Sequence, residues 1–263
     1  MRKTSSILLT VAAILAVAIP AAAAEKTFDE SLSDPKAVQL SRQLMDAMGG
    51  RKAWDDLHFL RFDFASVRDG QTNVIRSHWW DKYTGRHRVE GKTREGEPFV
   101  ILHNINTHEG DAWKSGVKLE GEEEKKFLEN AWGYWVNDTY WLLMPYKMND
   151  PGVILSYDGE EELDGRMYDK VALSFDNVGL TPNDRYWAWI NRDTHLMDQW
   201  GFILKGGEGP AAKFRWNGWK KFGNVMLSPE RAAVDSANKI VFLNLATPAS
   251  MPDGVFVSPS PVE

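Results

Sequence analysis

Histidines are the residues of this sequence with the most obvious potential for metal or acid–base chemistry. His78 and His87 flank a predicted turn at Thr84-Gly85, and His103 and His108 lie on the next predicted strand. Neighbouring antiparallel strands can bring such side chains together. A zinc site, however, needs three or four ligands in fixed geometry with outer partners that orient them. The spacings match no such signature, so we predict polar positions on a sheet face and no metal site.

Carboxylate pairs offer a second kind of chemistry. His78 with Asp81, or Asp138 with Asp150, could form an acid–base pair, and carboxylates about 5 to 10 Å apart hydrolyse glycosides. With 37 acidic residues in the chain, chance pairs are numerous. Motifs for a serine nucleophile, a metal helix or a phosphate loop are absent from the sequence. We therefore favour a protein that is not an enzyme and has no cofactor, with a hydrolase around His78 and Asp81 as an alternative.

The 12 tryptophans of the chain are more informative. In the predicted strand Tyr186 to Asn191, Trp187 and Trp189 share one face while Tyr186 and Ile190 share the other, so both faces are covered. Such rings fill a core, or several of them line an apolar ligand pocket under a helical lid. The predicted ligand-binding residues, four of them in the lid, are Trp79, Trp80, Trp141, Leu142, Met144, Tyr146, Trp187 and Trp189.

Glycan binding is the competing interpretation of the aromatic residues. Exposed rings beside polar groups stack on sugars, and the stretches Trp79-Trp80-Asp81 and Asn137-Asp138-Thr139-Tyr140-Trp141 have that composition. The sequence leaves open whether these rings are exposed.

The period of the apolar residues indicates which elements carry these side chains. Asp34-Pro35 begins a helix that Gly49-Gly50 ends. From Leu57 the period changes to 2, and about ten or eleven short strands follow. A helical insertion over Glu120 to Tyr146, interrupted at Asn137-Asp138, divides them. We predict a mainly β (α+β) fold: an antiparallel curled sheet or incomplete β-barrel with an N-terminal helix and a mid-chain helical lid, which hides strand edges.

The N-terminus predicts export. Arg2 and Lys3 precede an apolar run from Ile7 to Ile19, and Ala21 to Ala24 supply small residues for cleavage. We expect residues 1–24 to be a signal peptide, residues 25–246 a single domain, and the Pro- and Ser-rich residues 247–263 a mostly disordered tail. No Cys follows the apolar run, so a lipid anchor and disulfides are excluded.

The charge of the chain argues against nucleic acid as a partner. The formal net charge is −6, and loss of Arg2 and Lys3 with the signal peptide makes it more negative. Nucleic-acid binding needs a basic surface.

Three stretches carry a resemblance to a known family: His78-Trp79-Trp80-Asp81 through Thr84-Gly85-Arg86, Trp141 to Asp150, and Thr181 to Trp187. With the order helix, strands, helical insert and strands, they resemble a bacterial branch of the LolA/LolB-like superfamily over roughly residues 35 to 246. That resemblance implies an incomplete barrel with a helical lid over a cavity for acyl chains. In the carriers an Arg on an early strand tethers the lid. Arg61 and Arg88 lie on early predicted strands here, but neither can be aligned with that Arg from the sequence.

Pattern and resemblance together predict a periplasmic or secreted protein that binds or carries an apolar ligand. The ligand would be a lipid or acyl chain, with a lipoprotein or envelope protein as a further partner. We expect a monomer that does not span the membrane once the signal peptide is removed.

Overall fold

A computed structural model describes residues 27–176 and 183–262 of the chain, so the predicted signal peptide lies outside the described residues. The helices are α1 (Pro35–Ala47), α2 (Gly50–Asp55), α3 (Gly121–Leu143) and α4 (Gly254–Val257), with 3₁₀ turns at Glu30–Leu32 and Met144–Lys147. The strands are β1 (Phe59–Arg68), β2 (Gln71–Asp81), β3 (Arg86–Lys92), β4 (Pro98–Asn104), β5 (Gly110–Lys114), β6 (Val117–Lys118), β7 (Val153–Leu163), β8 (Arg166–Phe175), β9 (Arg185–Asn191), β10 (Met197–Ile203), β11 (Ala212–Asn217), β12 (Lys220–Phe222), β13 (Val225–Leu227), β14 (Glu230–Ala233) and β15 (Lys239–Ala246).

Helix α1 begins where the sequence predicts. The Asp34 side chain accepts a hydrogen bond from the Lys36 backbone N–H at 2.8 Å, and Pro35 occupies the first turn. Both features stabilise a helix N-terminus. At the other end, Gly49 has φ +114°, and a Cβ there would lie 2.3 Å from the Asn224 carbonyl oxygen. Only glycine fits this close approach, which ends α1 and leads into α2.

Thirteen strands form one open antiparallel sheet. Their order is β6-β5-β4-β3-β2-β1-β15-β14-β11-β10-β9-β8-β7, and β12 and β13 form a separate hairpin. The two halves of the meander are joined through β15, which pairs with both β1 and β14. The sheet is curled and does not close into a barrel. The predicted fold class is therefore confirmed.

The concave face of the sheet carries most of the core. Helix α1 packs its buried apolar stripe there against β7 and β8, and the same core includes Leu60, Phe62 and Trp80 of the first two strands. A second cluster joins α3 to β3–β5 through Val89, Ile101 and other buried side chains. Because side chains alternate along a strand, Phe59 and Trp79 face the opposite, convex side.

The mid-chain helix differs from its prediction. Asn137 and Asp138 do not interrupt it, and α3 runs through them to Leu143. The Asp138 carboxylate is fully buried and bonded to Arg76 and His78. These contacts from the sheet offset the low helix propensity of Asn and Asp.

The C-terminal segment also differs, because it is ordered where the sequence predicts disorder. Val255 and Phe256 of α4 are buried against Phe59 and Trp79 on the convex face. Arg88 donates hydrogen bonds to the carbonyls of the same segment. Few apolar side chains suffice here because the sheet already provides an apolar surface for them.

Candidate functional site

A cavity of about 600 Å³ opens beside the C-terminal half of α3. It lies between that helix, the 3₁₀ turn after it and strands β7–β10 of the concave face. Its volume falls in the range of about 300 to 1,000 Å³ typical of ligand pockets. The lining residues are Val136, Asn137, Tyr140, Trp141, Lys147, Asp150, Pro151, Val153, Phe175, Asp184, Tyr186, Trp200, Phe202 and Leu204.

One wall of the cavity is aromatic because of strand register. Phe202 of β10 lies directly opposite Tyr186 of β9, and Trp200 lies two residues away on the same face. The Tyr186 and Trp200 rings are 5.4 Å apart. Trp141 of α3 meets Trp200 edge-on, at 4.8 Å and 76°. These contacts fix a preformed apolar wall, with the helix supplying one of its rings.

A few polar groups also line the cavity. The Asp184 carboxylate is buried and accepts hydrogen bonds from the Lys205 backbone N–H at 2.6 Å and the Tyr186 hydroxyl at 2.8 Å. Lys147 and Asp150 form an ion pair at the rim. A few polar groups in an apolar pocket orient a ligand.

Tyr140 also lines the cavity, with its ring 5.5 Å from that of Tyr186. Burial raises its pKa well above the ordinary value, and the nearby Tyr186, Asp150 and Asp184 raise it further. The phenol therefore stays protonated. It makes no hydrogen bond within residues 27–176 and 183–262, so it offers a donor to a ligand.

Two arginines of the sheet hold α3 in place over this region. Arg76 of β2 binds both Asp138 carboxylate oxygens at 2.6 Å. Arg231 of β14 is fully buried and donates to the carbonyl oxygens of Trp141 at 2.9 Å and Leu142 at 3.3 Å. Helix α3 is thus bound to the sheet through the Asp138 side chain and through the carbonyls of its last turn.

Arg61 and Arg88, the early-strand arginines considered from the sequence, have other roles. Arg61 pairs with Asp63 and lies over the Trp79 ring. Arg88 pairs with Glu90 and binds the C-terminal segment. Both belong to the convex face of the sheet.

Three of the predicted histidines do meet, in a row of buried hydrogen bonds under α3. Asp138 Oδ2 lies 2.9 Å from His78 Nε2, His78 Nδ1 lies 3.0 Å from His87 Nε2, and His87 Nδ1 lies 2.7 Å from His103 Nε2. Burial lowers the pKa of each imidazole, in His103 to about 4. We call these four residues the histidine row. In the described part of the chain, no three His, Asp or Glu side chains are grouped as a metal ion would require.

The acid–base pair considered around Asp81 is not formed with His78. Asp81 instead binds His58 at 3.0 Å and Arg86 at 2.8 Å. Burial opposes ionisation of Asp81, but hydrogen bonds from Arg86 and Thr84 lower its pKa to about 2. The structural partner of His78 is Asp138.

The structure distributes the eight predicted ligand-binding residues over three places. Trp141 alone among them lines the cavity. The residues packed into the main core are Trp80, Leu142, Met144 and Tyr146. The residues on the convex face are Trp79, Trp187 and Trp189.

Of the convex-face tryptophans, Trp79 and Trp189 are buried and Trp187 is partly exposed. Trp189 is buried; its Nε1 donates to Glu161 at 2.8 Å, and the ammonium groups of Lys170 and Lys213 lie over its ring. Gly201 leaves room for the ring, since a Cβ there would lie 3.0 Å from it. Long Lys side chains cover apolar surface in this way.

Sequence reasoning missed most of the cavity. Tyr186, Trp200, Phe202 and Asp184 line it without having been predicted as ligand-binding residues, and Tyr140 was considered only for sugar stacking. The alternation of Trp200 and Phe202 along β10 was the available signal. Using it required knowing which face of each strand is concave, and alternation alone does not give that.

Among the described residues, no helix combines the length and apolar character needed to cross a bilayer. No protein-family model matches the chain, and no curated protein matches it.

Several solved structures are similar at low identity. A DUF1329 family protein from Desulfovibrio piger is 13% identical, with a TM-score of 0.46 over 85% of this chain and 98% of that one. A domain from Vibrio parahaemolyticus described as an outer membrane lipoprotein-sorting protein is 6% identical, with a TM-score of 0.45 over 84% and 96%. The lipoprotein LppX from Mycobacterium tuberculosis is 13% identical, with a TM-score of 0.30 over 84% and 100%.

Proposed function

We propose that this protein binds an apolar ligand, a lipid or acyl chain, in the cavity beside α3, and that it acts as a binding or carrier protein without catalysis. The observation that carries the proposal is the preformed aromatic wall of Trp141, Tyr186, Trp200 and Phe202 in a cavity of about 600 Å³. Each methylene transferred from water into such a site contributes about 0.8 kcal/mol. A chain of moderate length therefore offsets the entropy lost on binding.

The predicted export signal gives the proposal its setting. A carrier in the periplasm or outside the cell would receive its ligand from the envelope, so a lipoprotein or another envelope protein is the natural partner. We propose that the protein works there as a monomer.

The alternative functions find less support in the site. Trp79 and Trp80 are buried, so the first of the two candidate sugar-stacking stretches presents no exposed ring. His78 and Asp138 are enclosed beneath α3 and do not line the cavity. The second sugar-stacking stretch contributes Asn137, Tyr140 and Trp141 to the mainly apolar cavity itself, which favours an apolar ligand there.

The direct test is native mass spectrometry of gently purified protein, followed by titration of the delipidated protein with decanol. We expect a co-purifying lipid or saturable decanol binding. Val136→Trp, which fills the cavity, should abolish decanol binding, and Trp141→Ala should weaken it. Trp187→Ala removes a ring of the same type from the convex face and serves as the matched control. Equal loss in Trp141→Ala and Trp187→Ala, or no binding of any apolar probe by the wild type, would refute the proposal.

A further inference from the structure

The Tyr140 hydroxyl is a hydrogen-bond donor that the protein itself does not use, and it bears on the chemistry of the ligand. Tyr186, the other tyrosine that lines the cavity, donates to Asp184 at 2.8 Å. Tyr140 makes no hydrogen bond within residues 27–176 and 183–262. Since a Tyr hydroxyl in apolar surroundings usually finds a partner, the missing acceptor is one that a ligand would supply.

The position of this hydroxyl is on the cavity side of its ring. The groups that act on it electrostatically are Tyr186, Asp150 and Asp184, and all three line the cavity. The hydroxyl oxygen is also accessible, whereas the indole nitrogen of Trp200, which lacks a partner in the described residues too, is sealed in the core. Tyr140 therefore offers its O–H to the cavity, and Trp200 offers only its ring.

Trp141 adds a second donor beside Tyr140. Its indole N–H likewise makes no hydrogen bond within the described residues, and its nitrogen is not sealed in the core. The Tyr140 and Trp141 rings lie 5.9 and 4.8 Å from the Trp200 ring. The last turns of α3 thus place both residues against the same part of the aromatic wall.

A ligand that covers these donors needs an acceptor of its own. A chain that displaces water from a donor without replacing the hydrogen bond loses affinity. The carbonyl oxygen of an ester or amide accepts such a bond without carrying a charge, and burying a neutral group costs far less than burying an ionised carboxylate. An acyl linkage therefore suits this part of the cavity better than a plain hydrocarbon or a free carboxylate.

We infer, on the basis of the proposed function, that the cavity takes its ligand in as far as an acyl ester or amide linkage, whose carbonyl oxygen accepts a hydrogen bond from the Tyr140 hydroxyl. The hydrocarbon chain then continues along the aromatic wall. Tyr140 is thus a specificity-determining residue, which favours acyl lipids over hydrocarbons that offer no acceptor.

The test compares methyl octanoate with nonane, which has the same number of carbon atoms and no acceptor. Titration followed by Trp fluorescence measures the affinity of each. We expect Tyr140→Phe, which removes only the hydroxyl, to weaken methyl octanoate binding by about tenfold and to leave nonane binding unchanged. Tyr83→Phe is the matched control, because this tyrosine is 56% exposed in the β2–β3 turn and should alter neither affinity.

Infrared spectroscopy examines the same hydrogen bond in the wild type. The carbonyl band of bound methyl octanoate, isotopically labelled at the carbonyl carbon, should lie at lower frequency than in hexane and should return toward the hexane value in Tyr140→Phe. An unshifted band in the wild type overturns the inference while leaving the proposed function intact. So does a Tyr140→Phe variant that keeps its ester affinity or loses ester and nonane affinity equally. Failure of both ligands to bind the wild type overturns the proposed function itself.

Discussion

At the scale of single residues, Arg231 shows how this fold uses a buried cation. Its guanidinium stacks 3.4 Å from the Trp216 ring centroid and donates to the carbonyls of Trp141, Leu142 and Ser228. Burial lowers its pKa well below the ordinary value, and no carboxylate pairs with it in the described part of the chain. A cation at a helix C-terminus complements the helix dipole and its free carbonyls. Arg231 therefore anchors the end of α3 beside the cavity.

Replacing Arg231 should be costly. Arg231→Met keeps much of the apolar volume but leaves buried carbonyls of α3 unpaired, so we expect a loss of about 2 to 4 kcal/mol in the free energy of unfolding. Urea denaturation measures it. Arg215→Met, which removes an arginine paired with the exposed Asp164, should change stability by no more than about 0.5 kcal/mol. Similar losses in both variants would contradict this account of Arg231.

Trp79, Trp80 and His78 show which features of single residues can be predicted from the sequence and which cannot. Composition and alternation correctly placed Trp79 and Trp80 on opposite faces of β2. They did not reveal that Trp79 lies beneath the C-terminal segment or that Trp80 packs in the core. The same limit applies to His78, because its partner Asp138 lies 60 residues away in sequence on another element. Partners of this kind depend on the tertiary fold.

At the scale of elements, α3 rests on a polar seam between two apolar clusters. The histidine row crosses β2, β3 and β4 beneath the helix and ends at Asp138 of the helix itself. If the Asp138 carboxylate accepts from His78, each following imidazole donates to the one before it, which leaves His103 Nδ1 as an acceptor. That atom is buried and has no partner in the described residues. The hydrogen bonds between the imidazoles therefore require neutral His78 and His87, because a second proton on either ring would place two N–H groups face to face. A proton on His103 would instead put a charge in a buried place. The other charged or titratable groups that act on the row are Arg61, Arg76 and His108.

This seam predicts a loss of stability in acid. A histidine whose folded pKa lies below its unfolded value of about 6.5 stabilises the fold above that pH, and the contribution is lost as pH falls toward the folded value. For His103 that window runs from about 6.5 to about 4. Each imidazole that stays neutral in the fold should cost roughly 1.4 kcal/mol per pH unit within its window. Urea denaturation at several pH values measures the slope.

Variants separate the histidine row from the rest of the chain. His103→Leu removes one titrating group. Between about pH 6.5 and 4 it should reduce the slope of the free energy of unfolding against pH by roughly 1.4 kcal/mol per pH unit, the contribution of one proton. His195→Asn changes a partly exposed histidine in the β9–β10 turn, outside the row; its φ is positive, which Asn tolerates, and the slope should stay as in wild type. A slope that is identical in wild type and His103→Leu would show that the row does not govern the acid response.

At the scale of the whole molecule, the sheet is a meander whose last strand returns to its first. Predicting many strands, an N-terminal helix and a helical insert required only the local period of apolar residues. Placing β15 between β1 and β14 requires knowing which distant strands pair with it. The local pattern around Lys239 predicts a strand but does not identify those partners. The convex face illustrates the same point, since Phe256 reads as part of a Pro-rich tail until the surface beneath it is known.

The C-terminal segment should therefore be a structural part of the domain. Phe256 is 8% exposed and packs on Phe59, whereas Val257 beside it is 70% exposed. We expect Phe256→Ser to lower the free energy of unfolding by about 2 to 4 kcal/mol and to make residues after 248 sensitive to protease, whereas Val257→Ser should stay within about 0.5 kcal/mol of wild type. Decanol binding should survive in both variants, because this segment lies on the convex face and the cavity opens on the concave one. Equal stability of the two variants would mean that the segment is not docked in solution, and loss of decanol binding in Phe256→Ser alone would mean that the two faces of the sheet are coupled.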